Sequence, residues 1–371
     1  MPTLETTVNG VRFPNPFVIG SGPPGTNARV ICRSFADGWG GSSAKTVSLD
    51  CSKVVNVAPR YGRLKDAGGE PYGWENIELI STMPFDQWLD EFKEVKDKYP
   101  DHVLIASIME EYNKDAWYEI IQRCEEAGVD MFECNFSCPH GLPERRMGAA
   151  MGQDNEVLSE VCGWVADAAT IPVWAKMTPN VTHIEDPSRA ALAQGIGGLT
   201  AINTIRSVIG VDLESLRPMP TVEGYSTPGG YSCKAVKPIA LRMTMEIAML
   251  IRREFPDATL SGMGGIESGY DAAEFILLGA DTVQVCTGVM KHGYKMVGRM
   301  CDELLEFMDR HGFETIDDFK GKSLPYFTTH ADLVDRQQKA KAAKAAAKAG
   351  ITKDENWDGD QFVRQSDELV G

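Results

Sequence analysis

Short apolar or β-rich runs alternate along the chain with longer segments whose apolar positions recur at helical spacing. The runs fall at 17–21, 42–46, 103–108, 129–132, 171–177, 199–203, 258–262 and 282–286. The helical segments fall at 27–36, 85–98, 114–127, 156–168, 187–194, 237–253, 269–278 and 295–311. Each run leads into a helix, or into a loop and then a helix. Eight such units predict an α/β fold of the (β/α)8 TIM-barrel type rather than an open doubly wound sheet. The run at 42–46 is weak by β propensity and is included because a glycine turn precedes it. Two long excursions break the rhythm. The one after the second strand, 48–81, reads as loop, and the other follows the sixth strand and ends before Lys237. The barrel is expected to occupy 1–325. The remainder, 326–371, reads as an Ala/Lys-rich run and an acidic end, either a solvated helix with a loose terminus or an arm that packs on another subunit.

Composition narrows the picture. The 371 residues are 43% hydrophobic and 24% charged, the profile of a globular protein. A net charge of −16 argues against nucleic acid or an anionic membrane as the main partner. No apolar run is long enough to cross a bilayer, and the first residues lack signal-peptide character, so a cytoplasmic location is expected. Nine cysteines, scattered and without any Cys-x-x-Cys, fit reduced thiols better than a disulfide framework. The same spacing provides no zinc ribbon, no iron–sulfur site and no other metal centre.

In a barrel of this kind, functional side chains sit at the C-terminal ends of the strands. The densest such stretch is Glu133-Cys134-Asn135-Phe136-Ser137-Cys138-Pro139-His140-Gly141, which follows the fourth strand. Cys138 reads either as a buried small hydrophobe or as a thiol that titrates within reach of neutral pH. Lys45 and Lys176 end the second and fifth strands. Each either reaches solvent along its stem or, if buried, needs an anion or an electron-rich ring beside it. A flavin with a phosphate tail would meet both needs. Glycine turns at Gly264-Gly265 and at Gly288 follow the last two strands, where such barrels commonly hold a phosphate. A lysine-dependent aldolase working through Lys45 or Lys176 stays open on this reading, as does a non-catalytic barrel subunit.

Ordered matches over residues 3–325 carry a resemblance. They include Phe13-Pro14-Asn15-Pro16-Phe17, Ala44-Lys45-Thr46, Asn76-Ile77-Glu78-Leu79-Ile80, Ser137-Cys138-Pro139-His140-Gly141, Met147-Gly148, Gly152-Gln153-Asp154 and Ala175-Lys176. Thr178-Pro179-Asn180, Asn203-Thr204, Gly264-Gly265-Ile266 and Gln284-Val285-Cys286 complete them. The chain resembles the flavin domain of the dihydropyrimidine dehydrogenases and, more distantly, the class 1 dihydroorotate dehydrogenases. That resemblance implies FMN at the top of the barrel. Gly20, Ser21, Lys45, Thr46, Lys176, Asn203 and Gly230 would hold the cofactor, and Gly264, Gly265, Ile266, Cys286 and Thr287 its phosphate end. Asn76, Glu78, Asn135, Ser137, Asn203 and Thr204 would hold a pyrimidine-like cyclic amide. Cys138 would be the catalytic acid, and Lys176 a catalytic group beside the flavin.

The reaction implied is reduction, or formation, of the ring C=C bond. Alternatives are a dihydroorotate-type dehydrogenase or another ene-type reductase acting on a different cyclic substrate. With no cluster cysteines and no dinucleotide fingerprint, the expected partner is a separate electron-donor protein carrying iron–sulfur centres or a flavin and an NAD(P)H site. A homodimer or larger oligomer is also expected. Five positions depart from the family pattern or bring a large side chain near it: Phe136 for leucine, Cys233 for glycine, and Arg206, Tyr72 and Trp74. They are expected to alter the pocket.

Overall fold

The computed structural model describes residues 2–51, 54–138 and 147–348. The chain divides into two compact units, Met1–Leu324 and Pro325–Gly371.

The first unit opens with a hairpin, β1 (Thr6–Val8) and β2 (Val11–Phe13). Its turn is Asn9-Gly10, both at positive φ, the residue pair such a tight turn favours. Next come β3 (Phe17–Ile19), helix α1 (Ala28–Asp37) and β4 (Gly41–Ser43). The first excursion holds β5 (Tyr61–Lys65) and β6 (Pro71–Asn76). After it come α2 (Phe85–Lys98), β7 (Val103–Ile108), α3 (Lys114–Glu126) and β8 (Met131–Asn135). A short α4 (Ala149–Gly152) precedes α5 (Asn155–Ala168), β9 (Val173–Lys176), α6 (Glu185–Leu192) and β10 (Gly198–Ala201). The second excursion supplies β11 (Ile205–Ser207), β12 (Gly210–Asp212), β13 (Arg217–Met219) and β14 (Gly229–Ser232). The unit ends with α7 (Lys237–Glu254), β15 (Thr259–Met263), α8 (Gly269–Leu277), β16 (Thr282–Val285), α9 (Thr287–His292) and α10 (Met296–His311).

Eight parallel strands close into a barrel in the order β10-β15-β16-β3-β4-β7-β8-β9, so the expected (β/α)8 architecture is observed. Helix starts follow local chemistry. The side chains of Asn27, Asn113, Asp154 and Ser268 each accept the backbone N–H groups left open at the first turn. The weak strand Gly41–Ser43 forms because it is buried between β3 and β7. There an added Cβ at Gly41 would touch the Phe13 ring at 3.0 Å, so context overrides propensity. The β1–β2 hairpin plugs the N-terminal end. Val8 and Phe13 join Val18, Val103, Ile105, Met131 and Trp174 in one buried cluster, with Phe13 stacked on Trp174.

The excursions are not loops. They meet in a four-stranded antiparallel sheet, β11-β14-β6-β5, across the C-terminal mouth of the barrel. Ion pairs fix the β5–β6 hairpin at both ends. Glu70 in its turn meets Lys291 at 2.9 Å, and Glu78 beyond β6 meets Lys45 at 3.1 Å. In the second unit, α11 (His330–Lys348) carries Arg336–Asp332 and Lys339–Asp335 pairs one turn apart. Among the described residues no helix is long and apolar enough to cross a membrane.

Candidate active site

The mouth of the barrel encloses about 1030 Å³ of open space, its solvent opening included. Its walls bring together residues far apart in sequence: Ser21, Lys45, Thr46, Asn76, Glu78, Asn135, Cys138, Asn203, Thr204, Gly264, Gly265, Ile266, Cys286 and Thr287. Four other expected site residues sit one layer back. Ser137 is fully buried behind Asn135. Gly230 backs Asn76 and Thr204 so closely that a Cβ there would lie 2.2 Å from Thr204 Oγ1. A Cβ at Gly20 would lie 2.7 Å from Met263 Cε, and Lys176 lies in the barrel interior.

Along the rim, side chains at the ends of five barrel strands form one continuous hydrogen-bonded row. Thr46 Oγ1 contacts Ser21 Oγ at 3.2 Å and Ser107 Oγ at 2.8 Å, and it accepts from Asn135 Nδ2 at 2.9 Å. Asn135 Oδ1 in turn accepts from Ser137 Oγ at 3.0 Å. Ser137 Oγ accepts from Asn203 Nδ2 at 2.7 Å, and Asn203 Oδ1 takes the Thr204 N–H. The amides are thereby locked in one orientation before any ligand arrives, which lowers the ordering cost of binding.

Both lysines are buried, Lys45 at 8% and Lys176 at 2% exposure, so neither reaches solvent from its strand tip. The anion each needs is a protein carboxylate. Lys176 Nζ donates to Glu133 Oε1 at 3.1 Å and to Gln284 Oε1 at 3.3 Å. The second oxygen of Glu133 accepts from Thr200 Oγ1 at 2.9 Å and Gln284 Nε2 at 2.6 Å, so the buried charge is fully enclosed by donors. Lys45 pairs with Glu78, which also accepts from the Tyr61 hydroxyl at 2.7 Å and faces Arg60 at 3.5 Å. Burial and the Glu78 carboxylate push the Tyr61 hydroxyl well above the usual phenol value. Tyr61 lines the cavity and was not anticipated: it lies in a stretch that reads as loop and carries no motif.

Cys138 lies on the wall at 8% exposure, packed with Ile80, Met109 and Met147. Its carbonyl accepts the Ala149 N–H at 3.0 Å. Gly148, at φ 57°, comes so near that a Cβ would lie 2.8 Å from that same oxygen. The rest of the motif, Pro139-His140-Gly141, falls outside the described residues. Burial pushes the Cys286 thiol up to about 11 although Lys176 and Lys45 pull it down.

The end of the cavity expected to take a phosphate is a glycine cradle. Gly264 and Gly265 have φ 138° and 74°. A Cβ on Gly265 would sit 2.9 Å from Lys237 Cβ and 3.0 Å from the Cys233 carbonyl. Only glycine leaves the backbone free to face a ligand here. An anion with a flat ring fits this arrangement: glycine backbone at one end, a fixed amide and hydroxyl rim at the other. No cluster of His, Cys, Asp and Glu among the described residues could hold a metal ion.

The departures sort themselves. Phe136 is fully buried and packs on Trp117 of α3, away from the cavity, so it does not alter the pocket. Arg206 is exposed, with its backbone N–H on Asn180 Oδ1, and Tyr72 is 40% exposed; neither lines the cavity. Trp74 does line it. Cys233 lines it too and holds φ 78°, the left-handed conformation in which glycine is at ease.

Comparison with known proteins agrees with this geometry. The family model for dihydroorotate dehydrogenase matches residues 3–308. The chain is 60% identical to the chloroplastic dihydropyrimidine dehydrogenase (NADP(+)) of Arabidopsis thaliana, over 100% of this chain and 88% of that protein. It is 41% identical to the NAD-dependent dihydropyrimidine dehydrogenase subunit PreA of Escherichia coli, over 86% of this chain and 76% of that one. It is 32% identical to the catalytic subunit of dihydroorotate dehydrogenase B (NAD(+)) of Methanocaldococcus jannaschii, over 86% and 97%. Among solved structures, dihydroorotate dehydrogenase of Eimeria tenella in complex with ferulenol superposes with a TM-score of 0.72 at 21% identity, covering 86% of this chain and 88% of that one, which is a likeness of fold. With the barrel, the rim and the sequence matches in agreement, the chain belongs to the dihydroorotate dehydrogenase family.

Proposed function

We propose that the chain is the FMN-dependent catalytic unit of a dihydropyrimidine dehydrogenase, an oxidoreductase acting on the ring CH–CH bond of a neutral pyrimidine. The barrel, 1–325, is the catalytic unit and 326–371 an appendage. The observation that carries the reading is the rim of fixed amides and hydroxyls, Thr46-Asn135-Ser137-Asn203, running toward Thr204 with Cys138 on the same cavity wall.

Asn76, Asn135, Asn203 and Thr204 bring N–H and C=O groups to the cavity wall, the partners that the alternating carbonyls and N–H groups of a pyrimidine ring need, with Ser137 holding Asn135 and Asn203 and with Glu78 on the same wall holding Lys45. Gly264, Gly265, Ile266, Cys286 and Thr287 form the phosphate end, and Gly20, Ser21, Lys45, Thr46, Lys176 and Gly230 border the space for the ring system and its tail. FMN, when bound, supplies the hydride exchange with one ring carbon. Cys138 exchanges the proton at the neighbouring carbon, so reduction consumes one hydride and the thiol proton, and oxidation returns both. Lys176, its charge set in place by Glu133 and Gln284 one layer behind the cavity wall, would stabilise the negative charge that a bound flavin gains on reduction.

Charge favours a neutral substrate over an orotate-like carboxylate. Among the described lining residues Lys45 is the one cation, and Glu78 already partners it. The same pairing argues against an aldolase, since both lysines are held in ion pairs. The relatives named as subunits support a separate electron-donor protein, carrying iron–sulfur centres or a flavin and an NAD(P)H site, as partner. Two locations have support: the cytoplasm, from the sequence, and a plastid, from the chloroplastic relative. The test is direct. The purified chain should bind FMN, and uracil or thymine should perturb the flavin absorbance band while orotate leaves it unchanged. A chain that takes up no flavin contradicts the reading.

A further inference from the structure

Residues 74 and 76 leave β6 on the same side, because side chains alternate along a strand. Their ladder partners share that side: Tyr61 and Gly230 beside Asn76, and Arg63 and Ser232 beside Trp74. Tyr61, Trp74, Asn76 and Ser232 all line the cavity, so this is the face the sheet turns toward the barrel mouth.

Trp74 is 5% exposed. The Arg63 guanidinium lies 4.0 Å from the centre of its ring, and Tyr61 meets it edge-on at 6.1 Å, which fixes the indole in place. Its Nε1 is buried and has no acceptor among the described residues. The fully buried tryptophans show how unusual that is. Trp39 donates to the Tyr294 carbonyl, Trp88 to Ser81 Oγ, Trp117 to the Glu111 carbonyl and Trp174 to Asn9 Oδ1. An indole N–H taken out of water without a partner carries its full desolvation penalty, and buried indoles usually find an acceptor. Among the described buried tryptophans, the one without an acceptor lies on the cavity wall.

We propose that Trp74 is a ligand-binding residue whose indole N–H donates to an oxygen of the molecule held in the cavity. The acceptor is a ring carbonyl of the pyrimidine or an oxygen of the FMN side chain. The inference rests on the function proposed above. It places the specificity of one polar contact in the sheet over the barrel mouth rather than in the barrel itself. A phenylalanine at this position would preserve the apolar wall and lose the contact.

The test replaces Trp74 with its benzothienyl isostere, which keeps the bicyclic shape and lacks the N–H, with Trp74→Phe as a second variant. FMN affinity is measured on the flavin-free chain by fluorescence quenching, and uracil affinity on the FMN-loaded chain by the flavin absorbance change. One dissociation constant should rise by about threefold to tenfold, the range of a single lost hydrogen bond. A rise in the FMN constant identifies the cofactor side chain as acceptor, and a rise in the uracil constant alone identifies the ring carbonyl. If both constants stay within twofold of the unmodified protein, the donor role is overturned. If the unmodified chain binds no FMN, it is instead the reading of the whole site that fails.

Discussion

At the scale of single residues, the site depends on charges and amides that are settled before any ligand arrives. Lys176 and Glu133 form a buried pair at 2% and 0% side-chain exposure. Removing one partner strands the other in the barrel interior, so Glu133→Leu is expected to lower stability by roughly 3–5 kcal/mol in urea unfolding. A loss under about 1 kcal/mol would mean that the interior tolerates the lone charge. Cys138→Ala should leave FMN binding intact and reduce turnover by about 10²- to 10⁴-fold; unchanged turnover would assign the proton to another group. Glu75, fully buried on the far side of β6, accepts from the Ser207 hydroxyl and thereby ties the two excursions together. Burial raises its carboxyl above the ordinary value. The fold therefore favours the protonated form. That contribution is complete below the usual carboxylate value and is lost as the pH climbs through the raised one. Relative to Glu75→Gln, the unmodified protein should gain stability as the pH is lowered from 8 toward 5. A stability difference that stays flat over that range would show that Glu75 remains ionised. The ion pairs themselves could not be read from sequence, because Lys176 and Glu133 sit on neighbouring strands and become neighbours only when the barrel closes.

At the scale of elements, what was legible tracks how far local pattern decides structure. The barrel strands other than β4 and the long helices repeat an apolar rhythm that burial in the core demands, and they appear within a few residues of where that rhythm places them. The β1–β2 hairpin was missed although Asn9-Gly10 announces a tight turn between two β-branched residues. Strands β5 and β6 read as loop from sequence because Gly62, Gly73 and Pro71 dilute any β signal. Their order comes from pairing with β14, an excursion well over a hundred residues away in the chain. Helix α4 shows how elements meet at the site. Gly152 lies where a Cβ would be 1.9 Å from the Phe136 carbonyl, so α4 packs directly on the turn that carries Cys138. Gly152→Ala is expected to destabilise the protein by roughly 1–3 kcal/mol and to lower turnover more than FMN affinity. Equal losses in both would mean that α4 supports the whole mouth rather than this turn.

At the scale of the molecule, the barrel, its N-terminal plug and the four-stranded sheet over its mouth form one device. The plug seals the end opposite the site, and the sheet narrows the mouth with Tyr61, Trp74 and Asn76 facing inward. Sequence relatives and geometry converge on an oxidoreductase of the dihydroorotate dehydrogenase family whose cavity, among the described residues, carries no unpaired cation for an acidic substrate. The central claim is tested most directly by one half-reaction. The FMN-loaded chain is photoreduced without oxygen and mixed with uracil while the flavin absorbance is followed. Uracil should restore the oxidised flavin spectrum with formation of one dihydrouracil per flavin, and orotate should not. A reduced flavin that stays reduced in the presence of uracil would contradict that claim.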